Sequence, residues 1–159
     1  MSGSRELLRR DDGVALCIVE GTDPLMRGVA ELCYETLHRP FGVPRDDSWN
    51  ETDPASTHIL ALEGDRLVGY ARLIVEPAGG HVRQVVVVPD RRRRGIAESL
   101  VSCALARARE LGLQVAFLNA RANAVGIYER LGFRVVEGPF RMGRTYLKHV
   151  RMEKALPAP

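Results

Sequence analysis

Apolar residues recur along this chain with two different periods, and the switches between them divide it into elements. Residues 14–19 (VALCIV) are short, apolar throughout and rich in β-branched side chains, which predicts a first buried strand after a polar, frayed start over 1–13. Thr22-Asp23-Pro24 offers a helix start, with Asp23 as N-cap and Pro24 in the first helical position. Leu25, Val29, Leu32 and Cys33 share one face behind it. Strand patterns return at 57–62, 66–75 and 81–88, separated by Glu63-Gly64-Asp65 and Pro77-Ala78-Gly79-Gly80, and predict an antiparallel meander. The helical period resumes at Gly95, with Ile96, Ala97, Leu100, Val101, Ala104, Leu105, Ala108 and Leu111 on one side and Glu98, Ser102, Arg107 and Arg109 opposite. Gly112 stops that helix, and residues 114–118 form a strand that a right-handed crossover sets parallel to the one at 81–88. A last helix puts Ala124, Ile127, Tyr128 and Leu131 on one face and ends at Gly132, before a hairpin of 133–136 with 146–152. The pattern is α/β, mixed α+β in detail: a central mixed, mostly antiparallel sheet flanked by helices, with 1–159 as one domain.

Composition narrows the partners. Apolar residues at 45% and charged residues at 27% are near the globular average. A net charge of +3 is small for a nucleic-acid binder, and much of the excess sits at Arg91 to Arg94 rather than along a face with exposed aromatics, so no nucleic-acid partner is expected. Of 23 lysines and arginines only Lys148 and Lys154 are lysine, so a solvated arginine cluster is the alternative to a binding turn. Cys17, Cys33 and Cys103 are isolated and lie among apolar neighbours, which suits small core residues better than disulfides or metal ligands; no metal is expected. No apolar run approaches the ~20 residues of a spanning helix, so no membrane partner is expected and the cytoplasm is the simplest address.

The stretch VVVVPDRRRRGIAESL, from Val85 to Leu100, joins a buried strand to a helix through an arginine-rich turn. Pro89 ends the strand, Gly95 permits close approach, and the first N–H groups of the helix point at the turn with the helix dipole behind them. Such an end, with arginines around it, suits a phosphate or diphosphate. Val87 or Val88 with Pro89, Arg92, Gly95 and Ala97 resembles motif A of the GNAT superfamily of acyl-CoA N-acyltransferases, V-x-P-x-x-(Q/R)-x-x-G-x-(G/A). Arg93 stands where many members have glycine. About thirty residues on, Ala124, Tyr128, Gly132 and Phe133 resemble motif B, N-x-x-A-x-x-x-Y-x-x-x-G-F, with Arg121 at the usual asparagine position. The ending KHVRMEKAL is similar to small bacterial members, the ElaA-like group among them.

The resemblance implies the GNAT fold, acetyl-CoA as donor, coenzyme A as product, and direct acetyl transfer to a primary amine of a small molecule or peptide. It implies backbone partners at Val86, Val87 and Val88 for the pantetheine arm. A diphosphate would be held between Arg92 and Glu98, through Arg93, Arg94, Gly95, Ile96 and Ala97, with Asn119 and Tyr128 also against the cofactor. Tyr128 stands where the family has the tyrosine that protonates the departing thiolate, and His81 where some members have a glutamate base. An amine of pKa near 10.4 costs about 4.6 kcal/mol to present neutral at pH 7, so a base is needed. An ordered water, Glu76 and Glu35 are rivals to His81, while His38, His58 and His149 have no motif around them. Residues 38–56, with three prolines and the only tryptophan, are expected to border the acceptor, although Phe41 and Trp49 equally suit pinning that loop to the core. A catalytically silent acyl-CoA-binding or sensor domain is the alternative, and a homodimer is left open.

Overall fold

The computed structural model describes residues 4–45, 53–141 and 147–158. Its elements are β1 (Arg5–Arg9), β2 (Val14–Val19), α1 (Met26–Cys33), β3 (Ser56–Glu63), β4 (Arg66–Glu76), β5 (Gly79–Val87), α2 (Ile96–Glu110), β6 (Val115–Arg121), α3 (Val125–Arg130), β7 (Arg134–Arg141) and β8 (Lys148–Ala155). The strands form one sheet in the order β1-β2-β3-β4-β5-β6-β8-β7. Every neighbouring pair is antiparallel except β5–β6. This is the mixed, mostly antiparallel sheet that the periodicity predicts.

Two expectations need correction at the N-terminal end. Residues 5–9 are not frayed: they pair with β2 from Arg5↔Ile18 to Arg9↔Ala15. The ladder is made by backbone groups while Leu8 stays 45% exposed, so no apolar alternation announces the strand. The first helix starts two residues later than expected. Asp23 accepts from Leu25 N–H at 2.9 Å and its carbonyl from Met26 N–H at 2.9 Å, so it caps a turn that feeds α1. A π-helical turn at Tyr34–His38 and a 3-10 turn at Arg39–Phe41 prolong α1 until Gly42, whose φ of 65° ends it. The beginning of the long loop is therefore helical, while Trp49 and Tyr146 lie outside the described residues.

Two apolar cores flank the sheet. On one face Ile96, Leu100, Val101, Ala104 and Ala108 of α2 pack on Leu16, Ile59, Ala61, Leu73, Val82 and Val87. On the other Met26, Val29 and Cys33 of α1 pack on Leu60, Tyr70 and Val86. Val82 and Val87 share a core although five residues separate them, which strict alternation forbids. Between Tyr70↔Val86 and Arg72↔Arg83 the register gains a residue, and Gln84 takes φ 55°. This bulge inverts the alternation that an unbroken strand would keep: Val87 leaves the side of His81 and Arg83, and Val86 joins it.

The parallel contact of β5 with β6 spans only Gly80↔Ala116 and His81↔Phe117. Gly79, at φ 132°, lets the strands meet, because a Cβ there would overlap the Val115 carbonyl oxygen. Beyond His81 the two strands diverge, and a cavity of about 1630 Å³ opens between them.

Candidate active site

At one side of the cavity stands the start of α2. Ser99 N–H to Gly95 O, at 3.0 Å, is its first helical bond, so the amides of Ile96, Ala97 and Glu98 lie ahead of the ladder with the positive dipole end behind them. Gly95 has φ 79° and Arg93 φ 63°, so Arg93 adopts the left-handed backbone that glycine takes more cheaply. Ile96 is buried and offers only its backbone, Ala97 lines the cavity, and Glu98 Oε1 accepts from Arg130 Nη2 at 2.8 Å.

The four arginines of the turn do different things, which corrects their reading as one block of charge. Arg91 is spent on Glu63, with bonds of 2.7 and 3.0 Å, and on Asp90 at 2.9 Å. Asp90 is also gripped by Arg66 at 2.7 and 2.9 Å, which holds its carboxyl down at about 2. Arg92 Nε donates to the Val87 carbonyl at 3.0 Å, and both Arg92 and Arg93 line the cavity. Arg94 lies outside the lining, and its carbonyl accepts from Arg10 Nη2.

The β5 backbone likewise divides. Val88 N–H donates to Val68 O at 2.9 Å, so Val88 and, two residues back, Val86 turn their backbone groups toward β4. Val87 turns to the opened edge. Of the three valines expected to meet a pantetheine arm, Val87 alone presents its amide to the gap, and Val88 is not in the lining.

His81 sits where the strands part, stacked on Phe117 with ring centroids 4.5 Å apart. Its Nδ1 is 3.0 Å from Glu76 Oε1. An ionised carboxylate only accepts, so Nδ1 carries the proton in the neutral ring and Nε2 keeps its lone pair. Burial lowers the His81 pKa from its ordinary value, and Glu76 offsets this in part. Tyr128, on α3, is partly buried in the same lining, edge-on to Phe133 at 6.0 Å, and burial raises its phenol above the usual value. Asn119 and Arg121 lie on β6, opposite Arg151 and His149 of β8, and both line the cavity.

Glu35 is held by Arg39 at 2.9 Å, and Glu76 reaches the site only through His81. His58 is buried against Tyr70 Oη at 2.6 Å, away from the lining. His38 and His149, which no motif marks, do line the cavity; His149 Nδ1 lies 3.0 Å from the Leu147 carbonyl. Arg10 was not foreseen either: it ties the β1–β2 turn to Ser99 Oγ at 2.7 Å, and one of three arginines in a polar stretch carries no signal of that. Among the described residues, no three His, Cys, Asp or Glu side chains converge as metal ligands do, and no helix is long and apolar enough to cross a membrane.

This geometry fits a coenzyme A thioester: an opened strand edge for an extended arm, and an uncapped helix start with two arginines for its diphosphate. The family model described as "Acetyltransferase (GNAT) domain" matches residues 30–156. Among curated proteins, the uncharacterized N-acetyltransferase YjcF of Bacillus subtilis (strain 168) is 27% identical over 102 residues, covering 64% of this chain and 73% of that one. Among solved structures, Escherichia coli ElaA superposes with a TM-score of 0.77 at 19% identity, over 89% of this chain and 99% of its own. Spermidine N-acetyltransferase from Vibrio cholerae, in complex with CoA and spermine, does so with a TM-score of 0.70 at 20% identity, over 92% and 97%.

Proposed function

We propose, for a chain that belongs to the GNAT acetyltransferase family and is an N-acetyltransferase, direct transfer of an acetyl group from acetyl-CoA to a primary amine. The observation that carries this is the opening beyond His81, whose lining includes the start of α2, Val87, Tyr128 and His81. The coenzyme supplies an acyl group activated as a thioester. The amides of Ile96, Ala97 and Glu98, with Arg92 and Arg93, bind its diphosphate, and the Val87 amide orients the arm along the edge that β6 leaves open. Asn119, on the facing strand, closes the other side of the arm.

His81 takes the proton that the ammonium form of the acceptor must lose. With Nδ1–H directed at Glu76, Nε2 is the basic atom, and a pKa below the ordinary value keeps it unprotonated at neutral pH. Tyr128 holds the proton that the departing sulfur needs; its raised pKa keeps the phenol intact across the physiological range. No metal takes part in this scheme. Val135 and Val136 of β7, 45% and 42% exposed on the outermost strand, support a homodimer, and the isolated free cysteines support a cytoplasmic address. A screen of small-molecule and peptide amines that follows free thiol release from acetyl-CoA tests the function. Thiol release that no amine accelerates overturns it.

A further inference from the structure

We propose that the amine acceptor carries an anionic group, a carboxylate or phosphate, which Arg121 binds, with Arg83 adding positive charge beside His81; this rests on the N-acetyltransferase reading above. The charges that line the cavity point to this. Its two glutamates are already paired, Glu35 with Arg39 at 2.9 Å and Glu98 with Arg130 at 2.8 Å. No carboxylate in the lining, among the described residues, is left to receive a second cation on the acceptor. Several lining arginines are compensated too: Arg45 by Glu31 at 2.9 Å and Arg91 by Glu63 at 2.7 Å. Arg92 and Arg93 belong to the turn before α2, where one anion is already expected.

Arg83 and Arg121 remain. Neither has a carboxylate within ion-pair distance among the described residues. Arg83 stands beside His81 on β5, and Arg121 reaches from β6 to Phe41, with Arg92 of the α2 turn near it. Arg83 shares the face of His81, two residues along β5, and is close enough to lower its pKa. Arg121 is half-buried at the end of β6, its guanidinium 4.6 Å from the Phe41 ring centroid, and Phe41 comes from the turn that follows α1. Burial depresses the Arg121 pKa and nearby Arg92 adds to this, as expected of a desolvated cation that awaits a counter-ion. A guanidinium set over an aromatic ring by its central carbon can still offer edge N–H groups to a bidentate carboxylate or phosphate. Arginine here replaces the asparagine usual in the motif, so the feature belongs to this chain.

The test uses matched acceptors with the full chain: glucosamine 6-phosphate against glucosamine, and 4-aminobutyrate against n-butylamine. Thiol release is measured for wild type, Arg121→Gln and Arg121→Lys, with acetyl-CoA binding titrated separately. The expected result is a kcat/KM about tenfold or more higher for the anionic member of at least one pair. Arg121→Gln should bring it down to the level of the neutral member and Arg121→Lys should restore it in part, while the Kd of acetyl-CoA stays within about threefold. Equal or better use of the neutral members overturns the inference. So does an Arg121→Gln variant that loses acetyl-CoA instead, which would assign the arginine to the coenzyme's phosphates. A wild-type chain that fails to bind acetyl-CoA in the titration overturns the transferase reading itself, and is told apart on that ground.

Discussion

His81 and Glu76 act as a pair, and the sign of their coupling is testable. Burial favours the neutral imidazole and lowers its pKa, and Glu76 favours the charged form and pulls it partly back. In the proposed role of base, His81 would work above its folded pKa, so kcat/KM should rise with pH through an acidic limb below the ordinary value of about 6.5. The sequence alone places that limb near 6.5; burial is what moves it. His81→Ala should remove the limb, and Glu76→Gln should shift it to still lower pH, because the contribution that raises the pKa is lost. The same depression adds stability above pH ~6.5 that is lost as pH falls through the folded pKa. A pH–rate profile of Glu76→Gln that matches the wild type would mean that the carboxylate does not tune the base. For Tyr128, Tyr128→Phe keeps the ring against Phe133 and removes only the proton. It should lower kcat by about 10²-fold while acetyl-CoA affinity holds within a few fold, measured where chemistry limits the rate.

Among the elements, α2 matters most, and it is held from an unexpected side. Arg10 leaves the β1–β2 turn to bond Ser99 Oγ and the Arg94 carbonyl, clamping the last residues of the arginine turn from behind. Its side chain is only 17% exposed, so Arg10→Ala should cost about 1–2 kcal/mol. For a chain of this length that lowers Tm by about 2–8 °C. Acetyl-CoA should also bind more weakly to this variant, since the amides ahead of Ser99 lose their fixed aim. A loss of stability with unchanged affinity would show that the clamp only staples the N-terminal hairpin.

At the scale of the whole molecule, the proposed coenzyme site lies between the two halves of the sheet. Val87 lies on the β1–β5 half and Asn119 on the half formed by β6, β8 and β7, and only two residue pairs join β5 to β6. A ligand that spans the opening should therefore stabilise the fold as a unit. At 100 times its Kd, acetyl-CoA should add about 2.7 kcal/mol and raise Tm by about 5–10 °C. Gly95→Asp should abolish the shift: φ 79° strains any side chain there, and the new carboxylate would stand beside the Arg10 guanidinium and draw it from the Arg94 carbonyl that it holds. A thermal shift that survives in Gly95→Asp would place the diphosphate elsewhere.

The sheet, the meander and the strand–turn–helix of motif A were legible because they depend on local rules. Apolar period, Gly and Pro positions and the start of a helix are set by residues close in the chain. Tyr128 was singled out by its place in motif B and His81 by its place on the strand that leads into motif A, and their environment was not legible, because Glu76 and Phe117 reach His81 only through turns and strand pairing. β1 stayed hidden because backbone ladder bonds leave no mark on side-chain pattern. The bulge at Gln84 stayed hidden because one residue of register is decided by what β4 and two opposed cores will accept. The division of four adjacent arginines into paired, capping and free groups depends on Glu63, Asp90 and the Val87 carbonyl, which folding brings to them. Sequence by itself determined the elements after β1 and the family, because both are carried by local pattern. Tertiary structure alone decided which charges remain uncompensated, because compensation is a matter of distance in space.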